Sequence, residues 1–383
     1  MSQLARKTQI AAKVEASEGV AESLAAGDAV LVYDPNPRPD IGWNERRPTR
    51  ESLDPVLGVP GRRGFALDFG MDYRGSGSVS TPPDYDVPLR GAGHQRAALS
   101  SITIGAVTSG PFWPTETITG GTSNATGRVV GRVANGTTTL RFVALSGTFQ
   151  NGETITGGSS GATATTGSAV SSAQGYEYRP LSTDPPSLTL GAYEDGTRYL
   201  AAGCRGTLKI DLNTASIGRL GFSFRGAYQA HADVSMLSGV SYQTVVPPAI
   251  LGVTLSLHEQ APKFSTFGFD QGGETADLDD ASSSGGFASV KITGRAPVIA
   301  LDPLAQLVAT HDWMAKVLAG TAGIFHAEVG TGTAKRMMLA APNVQYRNPG
   351  RGERAGVLTR PIQVVCSAKD ENALDDGYQI AMY

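Results

Sequence analysis

The chain has 383 residues, including 48 glycines and 22 prolines, with 17 % charged residues and a formal net charge of −3. That length allows roughly two or three domains with real cores, and the Gly-rich, charge-poor composition points to a turn-rich β protein. The slight negative charge excludes a nucleic-acid reader that works by neutralising phosphates, and no apolar run approaches the ~20 residues of a membrane span.

Residues 1–28 read as an N-terminal arm of small and mixed-charge residues, either helical or docked on a partner. Lys7, Gln9, Lys13 and Glu15 interrupt any secretory apolar core, so a protein made in a cytoplasm is expected. Residues 29–33 (AVLVY) form a strand. The stretch 34–63 then carries six prolines and reads as a long functional loop rather than a strand or helix. Alternation resumes at 65–73, with Phe65, Leu67 and Phe69 on one side. Residues 84–94 are a short, poor helix candidate.

From 99 to 173 the composition shifts to Gly, Thr, Ser, Ala and Val. This segment repeats itself, since ETITGGTSNAT at 116–126 returns as ETITGGSSGAT at 153–163. A β-hairpin unit used twice is expected, forming a small β-module inserted into a host that restarts at Tyr176. Residues 187–228 follow as an antiparallel meander. Leu208, Ile210 and Leu212 alternate with Lys209 and Asp211, Leu220, Phe222 and Phe224 alternate with Gly221 and Ser223, and Glu194-Asp195-Gly196 supplies a tight turn.

The second half echoes the first after a linker at 237–248. Residues 250–258 read as a strand, 260–286 as a long loop carrying Phe264, Phe267 and Phe269, and 287–293 as a strand. A helix is expected over 302–318, capped by Asp302 with Pro303 in its first turn. Strands at 324–329, 334–341, 344–347 and 356–367 repeat the meander. An offset of 138 residues aligns Thr197-Arg198 with Lys335-Arg336 and Leu220 with Leu358, which predicts a tandem duplication.

No catalytic constellation emerges. The five histidines lack metal-ligand spacing, and Ser223 sits within a strand rather than at a nucleophile elbow. The acidic run Glu274, Asp277, Asp279 and Asp280 lacks the spacing of a calcium loop and reads as a solvated loop. Asn124 and Asn135 match glycosylation triplets that arise readily in Thr-rich sequence. Cys204 and Cys366 are too few for a disulfide scaffold and read as buried free thiols. Catalytic residues, metals and cofactors are therefore not expected.

The opening AAKVEASEGVAESLAAGDAVLV, the segment RRGFALDFGMDYRGSG, the meander YLAAGCRGTLKIDL…RLGFSFRGAY and the stretch MMLAAPNVQYRNPG…GVLTRPIQVVCSA resemble long-form siphophage tail tube (major tail) proteins. The likeness covers most of 8–95 and 176–370; the insertion at 99–173 departs from it. The resemblance implies two tandem tail-tube-type β-sandwich or half-barrel domains, each with a flanking helix. The first would be discontinuous, 29–98 and 174–236, and the second would be 249–383. It further implies trimeric rings with pseudo-sixfold symmetry stacked into a hollow tube in the virion. The partners would be further copies of the chain, the tail terminator, tape measure and baseplate proteins, and double-stranded DNA passing without specific binding. Stacking contacts are expected from the N-terminal arm and the two long loops, through Trp43, Arg46, Arg47, Phe264, Phe267 and Phe269. Thr207, Asp211 and Ser223 are candidates to face the lumen, with Lys209 and Arg225 beside them. A tail-fibre or baseplate adhesin binding glycans through 99–173 is the alternative, with Phe112 and Trp113 as its clustered aromatics.

Overall fold

Period-two alternation decides most of the architecture. In the computed structural model, which describes Leu4 and residues 6–383, strands take 49 % of the residues and helices 4 %, so the protein is mainly β, with one sheet curled as a half-barrel. The chain runs through β1 (Thr8–Val14), β2 (Ala29–Val30), β3 (Tyr33–Asn44) and β4 (Val59–Asp72), then helix α1 (Asp86–Gly91) and β5 (His94–Ala98). Six short strands follow: β6 (Ser100–Thr103), β7 (Thr117–Gly120), β8 (Thr126–Val129), β9 (Thr139–Ser146), β10 (Thr154–Gly157) and β11 (Thr163–Thr165). Strand β12 (Tyr176–Pro180) leads into β13 (Leu188–Glu194), β14 (Thr197–Asn213) and β15 (Arg219–Asp233). The remainder comprises β16 (Thr254–Leu257), β17 (Thr266–Asp270), β18 (Gly273–Asp279), β19 (Phe287–Arg295), β20 (Val298–Leu301), helix α2 (Trp313–Leu318), β21 (Gly323–Val329), β22 (Met337–Arg347), β23 (Gly352–Arg354), β24 (Val357–Thr359), β25 (Ile362–Ser367) and β26 (Gln379–Met382).

The meander forms as its alternation dictates. Leu208, Ile210 and Leu212 on β14 and Leu220, Phe222 and Phe224 on β15 are buried, packed with Phe65, Leu67, Phe69 and Met71 of β4 in one core. Asp195 and Gly196, both at positive φ (39° and 104°), make the tight turn between β13 and β14.

Two runs of six strands share one topology. The first pairs in the order β3-β4-β15-β14-β13-β1 and the second in the order β17-β20-β25-β22-β21-β16, every pair antiparallel. In each run the helix falls between the third and fourth strands in chain order. Tyr346 stands 138 residues after Leu208 at the equivalent ladder position, but Val364 stands 142 after Phe222. The four extra residues accommodate the hairpin β23–β24, so Leu358, in that hairpin, is not the counterpart of the core residue Leu220. The runs are joined where β14 pairs with β17, residues 209–213 against 270–266. One wall of eight strands results: β3-β4-β15-β14-β17-β20-β25-β22.

Several expectations are corrected. The arm, expected to be helical or docked on a partner, instead contributes β1, which lies in the main sheet between β13 and β2. Just beyond it, Glu15 accepts hydrogen bonds from Gly203 N, Ser187 Oγ and Thr189 Oγ1. The proline-rich stretch is a strand hairpin: Pro35, Pro37 and Pro39 fall at alternate positions of β3, which pairs only with β4. An edge strand tolerates missing N–H groups on its open side. The stretch 260–286 likewise contains β17 and most of the β18–β19 hairpin. The long helix is reduced to α2, capped by Asp312, whose side chain accepts from Ala315 N. Asp302 instead accepts from the backbone N–H groups of Ser265 and Thr266 and pairs with Arg354. Leu307 and Val308, within the expected helix, are 79 % and 71 % exposed, so no burial rewards a helix there.

The inserted segment forms its own sheet, β11-β10-β7-β8-β9-β6, over a separate core including Phe112, Ile118, Leu140, Phe142 and Ile155. Its repeat is a reciprocal clasp. Glu153 accepts from the N–H groups of Thr122 and Ser123, and Glu116 accepts from those of Ser159 and Ser160. The segment is not held on open stalks. Its stems β5 and β12 pair with each other, and Leu99, Val130 and Val143 pack on Met338, Ala340, Ala381 and Tyr383. Buried Glu177 seals the junction, paired with Arg128 and accepting from Gln379 Nε2 at 2.9 Å.

Candidate assembly surface

The middle of the wall has one apolar and one polar face, because β15, β17, β20, β25 and the end of β14 alternate. Of the residues expected on the polar face, Asp211 and Ser223 are exposed, while Thr207 is half-buried and accepts a hydrogen bond from Gly273 N (3.1 Å) at the start of the β18–β19 hairpin. Thr207 therefore lies at a rim, not in the open field.

The cations on this face are matched by carboxylates on neighbouring strands. Lys209 of β14 meets Asp270 of β17 at 3.0 Å, and that bond raises the lysine's pKa. Arg225 of β15 lies 3.3 Å from both Asp40 and Asp277. Ser223 donates to Asp68 of β4 (2.6 Å), which also pairs with Arg38 of β3. Exposed ion pairs of this kind add little stability, but they leave these cations with carboxylate partners rather than free for a passing phosphate.

The β3–β4 hairpin projects from the wall. Trp43 is 62 % exposed, and Arg46, Arg47, Leu53 and Leu57 are exposed with it. The second group of expected contact residues does not join it. Phe267 and Phe269 are buried core side chains of β17, the first stacked on Phe325 and the second edge-on to Tyr378, and Phe264 is partly buried against the same core. Both phenylalanines pair across to β20 opposite Leu301 and Ile299, and strand alternation would have placed them inside. The projection equivalent to the β3–β4 tip is instead the β18–β19 hairpin, tied to the rest of the chain by Arg62–Asp277 and by Arg205, which donates to Val290 O.

The wall ends at two open edges. One is β3; the other is the end of β22, where Gly350 N donates to Pro361 O and Asn348 Nδ2 to Gln363 Oε1, and among the described residues no strand lies beyond. Sequence reading missed these edges because the prolines hid β3.

Both cysteines are buried free thiols, with burial pushing Cys366 up to about 12. Among the described residues no helix is long and apolar enough to cross a membrane, and no cluster of His, Cys, Asp and Glu could hold a metal ion. No protein-family model matches the chain, and no curated protein matches it.

Proposed function

We propose that the chain is a structural virion protein whose copies close into trimeric, pseudo-hexameric rings that stack into a hollow tail tube conducting DNA. The observation that carries this reading is the internal junction. The C-terminal end of β14 in the first run already pairs with β17 of the second, and their counterparts, the end of β22 and strand β3, stand open at the ends of the wall. Repeating that junction between copies is a heterologous contact whose rotation can close a ring, and closure removes open edges that otherwise invite aggregation.

Register follows from the equivalence of the two runs. Asp270 pairs with Val298 as Asn36 pairs with Asp68, so residues 33–36 of β3 correspond to the part of β17 that meets β14. Lys209, the partner of Asp270, corresponds to Arg347 through the 138-residue offset. Residues 33–36 of one copy would thus lie against 347–351 of the next. Pro37 and Pro39 fall beyond this contact and guard the rest of β3. Three walls of eight strands give a barrel of ~24 strands, about 48 Å across at the backbone for ~4.8 Å strand spacing and ~40° tilt. A duplex fits within that width, and the polar face with its paired Lys209 and Arg225 would line it. The β3–β4 tip with Trp43, Arg46 and Arg47 would bridge stacked rings.

The test is a cysteine pair, Asn36→Cys with Arg347→Cys, in a chain whose own thiols are buried. Oxidation should give covalent oligomers up to a closed trimer on a non-reducing gel. A chain that stays monomeric under oxidation in every assembly condition contradicts the register and the ring.

A further inference from the structure

A pocket of about 410 Å³ lies where the inserted segment meets the second run, lined by Trp113 from the insertion and by His258, Glu259, Lys316, Ile324 and Lys369 from the body. Its volume is in the range of small-ligand sites.

Two features separate it from an incidental crevice. First, the two-residue turn that carries His258 and Glu259 is closed by Leu257 N to Gln260 O and Gln260 N to Leu257 O. Both turn residues sit at positive φ, 48° and 65°, a geometry for which Asn-Gly is the favoured pair. A histidine and a glutamate here impose backbone strain, and such strain gathers at functional positions. Second, His258 is nine-tenths buried, and its Nε2 has no hydrogen-bond partner. The ring packs 4.3 Å from that of Tyr346, and Gly323 leaves the space it occupies, since a Cβ there would meet the imidazole at 2.3 Å. The cations are also uncommitted: Lys316 and Lys369 have no ion-pair partner among the described residues.

We propose that this pocket binds an acidic saccharide, with the Trp113 and Ile324 side chains against the apolar face of a uronate ring and the Lys316 and Lys369 ammoniums on its carboxylate. Glu259, exposed at the mouth of the pocket, would meet ring hydroxyls. The aromatic wall selects a flat apolar body, and the lysine pair selects the acid over its neutral counterpart. The inference does not rest on ring formation, because every lining residue belongs to one chain.

Isothermal titration of the full chain with glucuronate and, separately, with glucose tests it. Glucuronate is expected to bind and glucose to bind at least about tenfold more weakly, the difference reflecting loss of charge-assisted bonds. The double substitution Lys316→Gln with Lys369→Gln, both half-buried and without ion-pair partners among the described residues, should weaken glucuronate by about tenfold while leaving the melting curve in place. Trp113→Ala should weaken both sugars. No glucuronate binding, equal affinity for the two sugars, or an unchanged affinity in the lysine variant would each overturn the proposal.

Discussion

Glu116 and Glu153 hold each other's repeat turn, so each carboxylate satisfies backbone donors more than 29 residues away in sequence. Burial opposes ionisation of Glu153, but the donors from Ser123, Gln150 and Thr122 outweigh it and keep its pKa lowered. Glu153→Ala would strand these donors and should destabilise the inserted sheet by about 2–4 kcal/mol, seen as an earlier transition in calorimetry. The histidines set a second dependence. Burial lowers His94 and His326 from 6.5 to about 4. His94 is held neutral between Leu89 O and Tyr378 OH. The unfolded chain takes up these protons first, so stability is complete above pH 6.5 and falls as pH drops toward 4. Thermal melts across that window check the slope; a flat profile contradicts it. Glu18 acts lower still: burial opposes its charge, yet Arg205, Lys291 and Ser289 bring it from 4.5 to about 2. Its contribution is present above about 4.5 and disappears as pH falls through about 2. The repeat was legible as letters; the role of its glutamates was not, because the contact crosses from one copy to the other.

Among the elements, strands whose alternation is uninterrupted, such as Phe65 to Phe69 and Leu208 to Leu212, could be read directly. Errors arose where composition argued louder than pattern. Prolines at every second position of β3 suit an edge, yet they read as a loop. Asp302-Pro303 is a helix-start signal, but the donors at Ser265 and Thr266 capture Asp302 instead. In sequence Phe267 and Phe269 read as loop and therefore surface residues, whereas β17 turns both inward. Two deletions test the element roles. Removing the exposed tip 46–56 should leave the melting temperature unchanged and, on the ring reading, give rings that fail to stack in sedimentation. Excising 99–173 is geometrically easy, since β5 and β12 pair with each other, but it uncovers Met338, Ala340 and Ala381. That variant should assemble with about 2–4 kcal/mol less stability; loss of all assembly would make the insertion part of the ring.

For the molecule as a whole, the duplicated strand order is the central fact. Two runs with the same strand order, joined where the end of β14 pairs with β17, make one continuous sheet within the chain. Little of this could be taken from sequence identity, since the runs share pattern rather than letters and an insertion splits the first. The order of strand, long loop, strand, helix and meander was nevertheless visible. The proposal that copies continue the sheet is tested most directly by negative-stain electron microscopy of the purified chain at high concentration. Rings with threefold modulation, or hollow tubes built from them, are predicted; a monodisperse monomer under every condition would contradict the account.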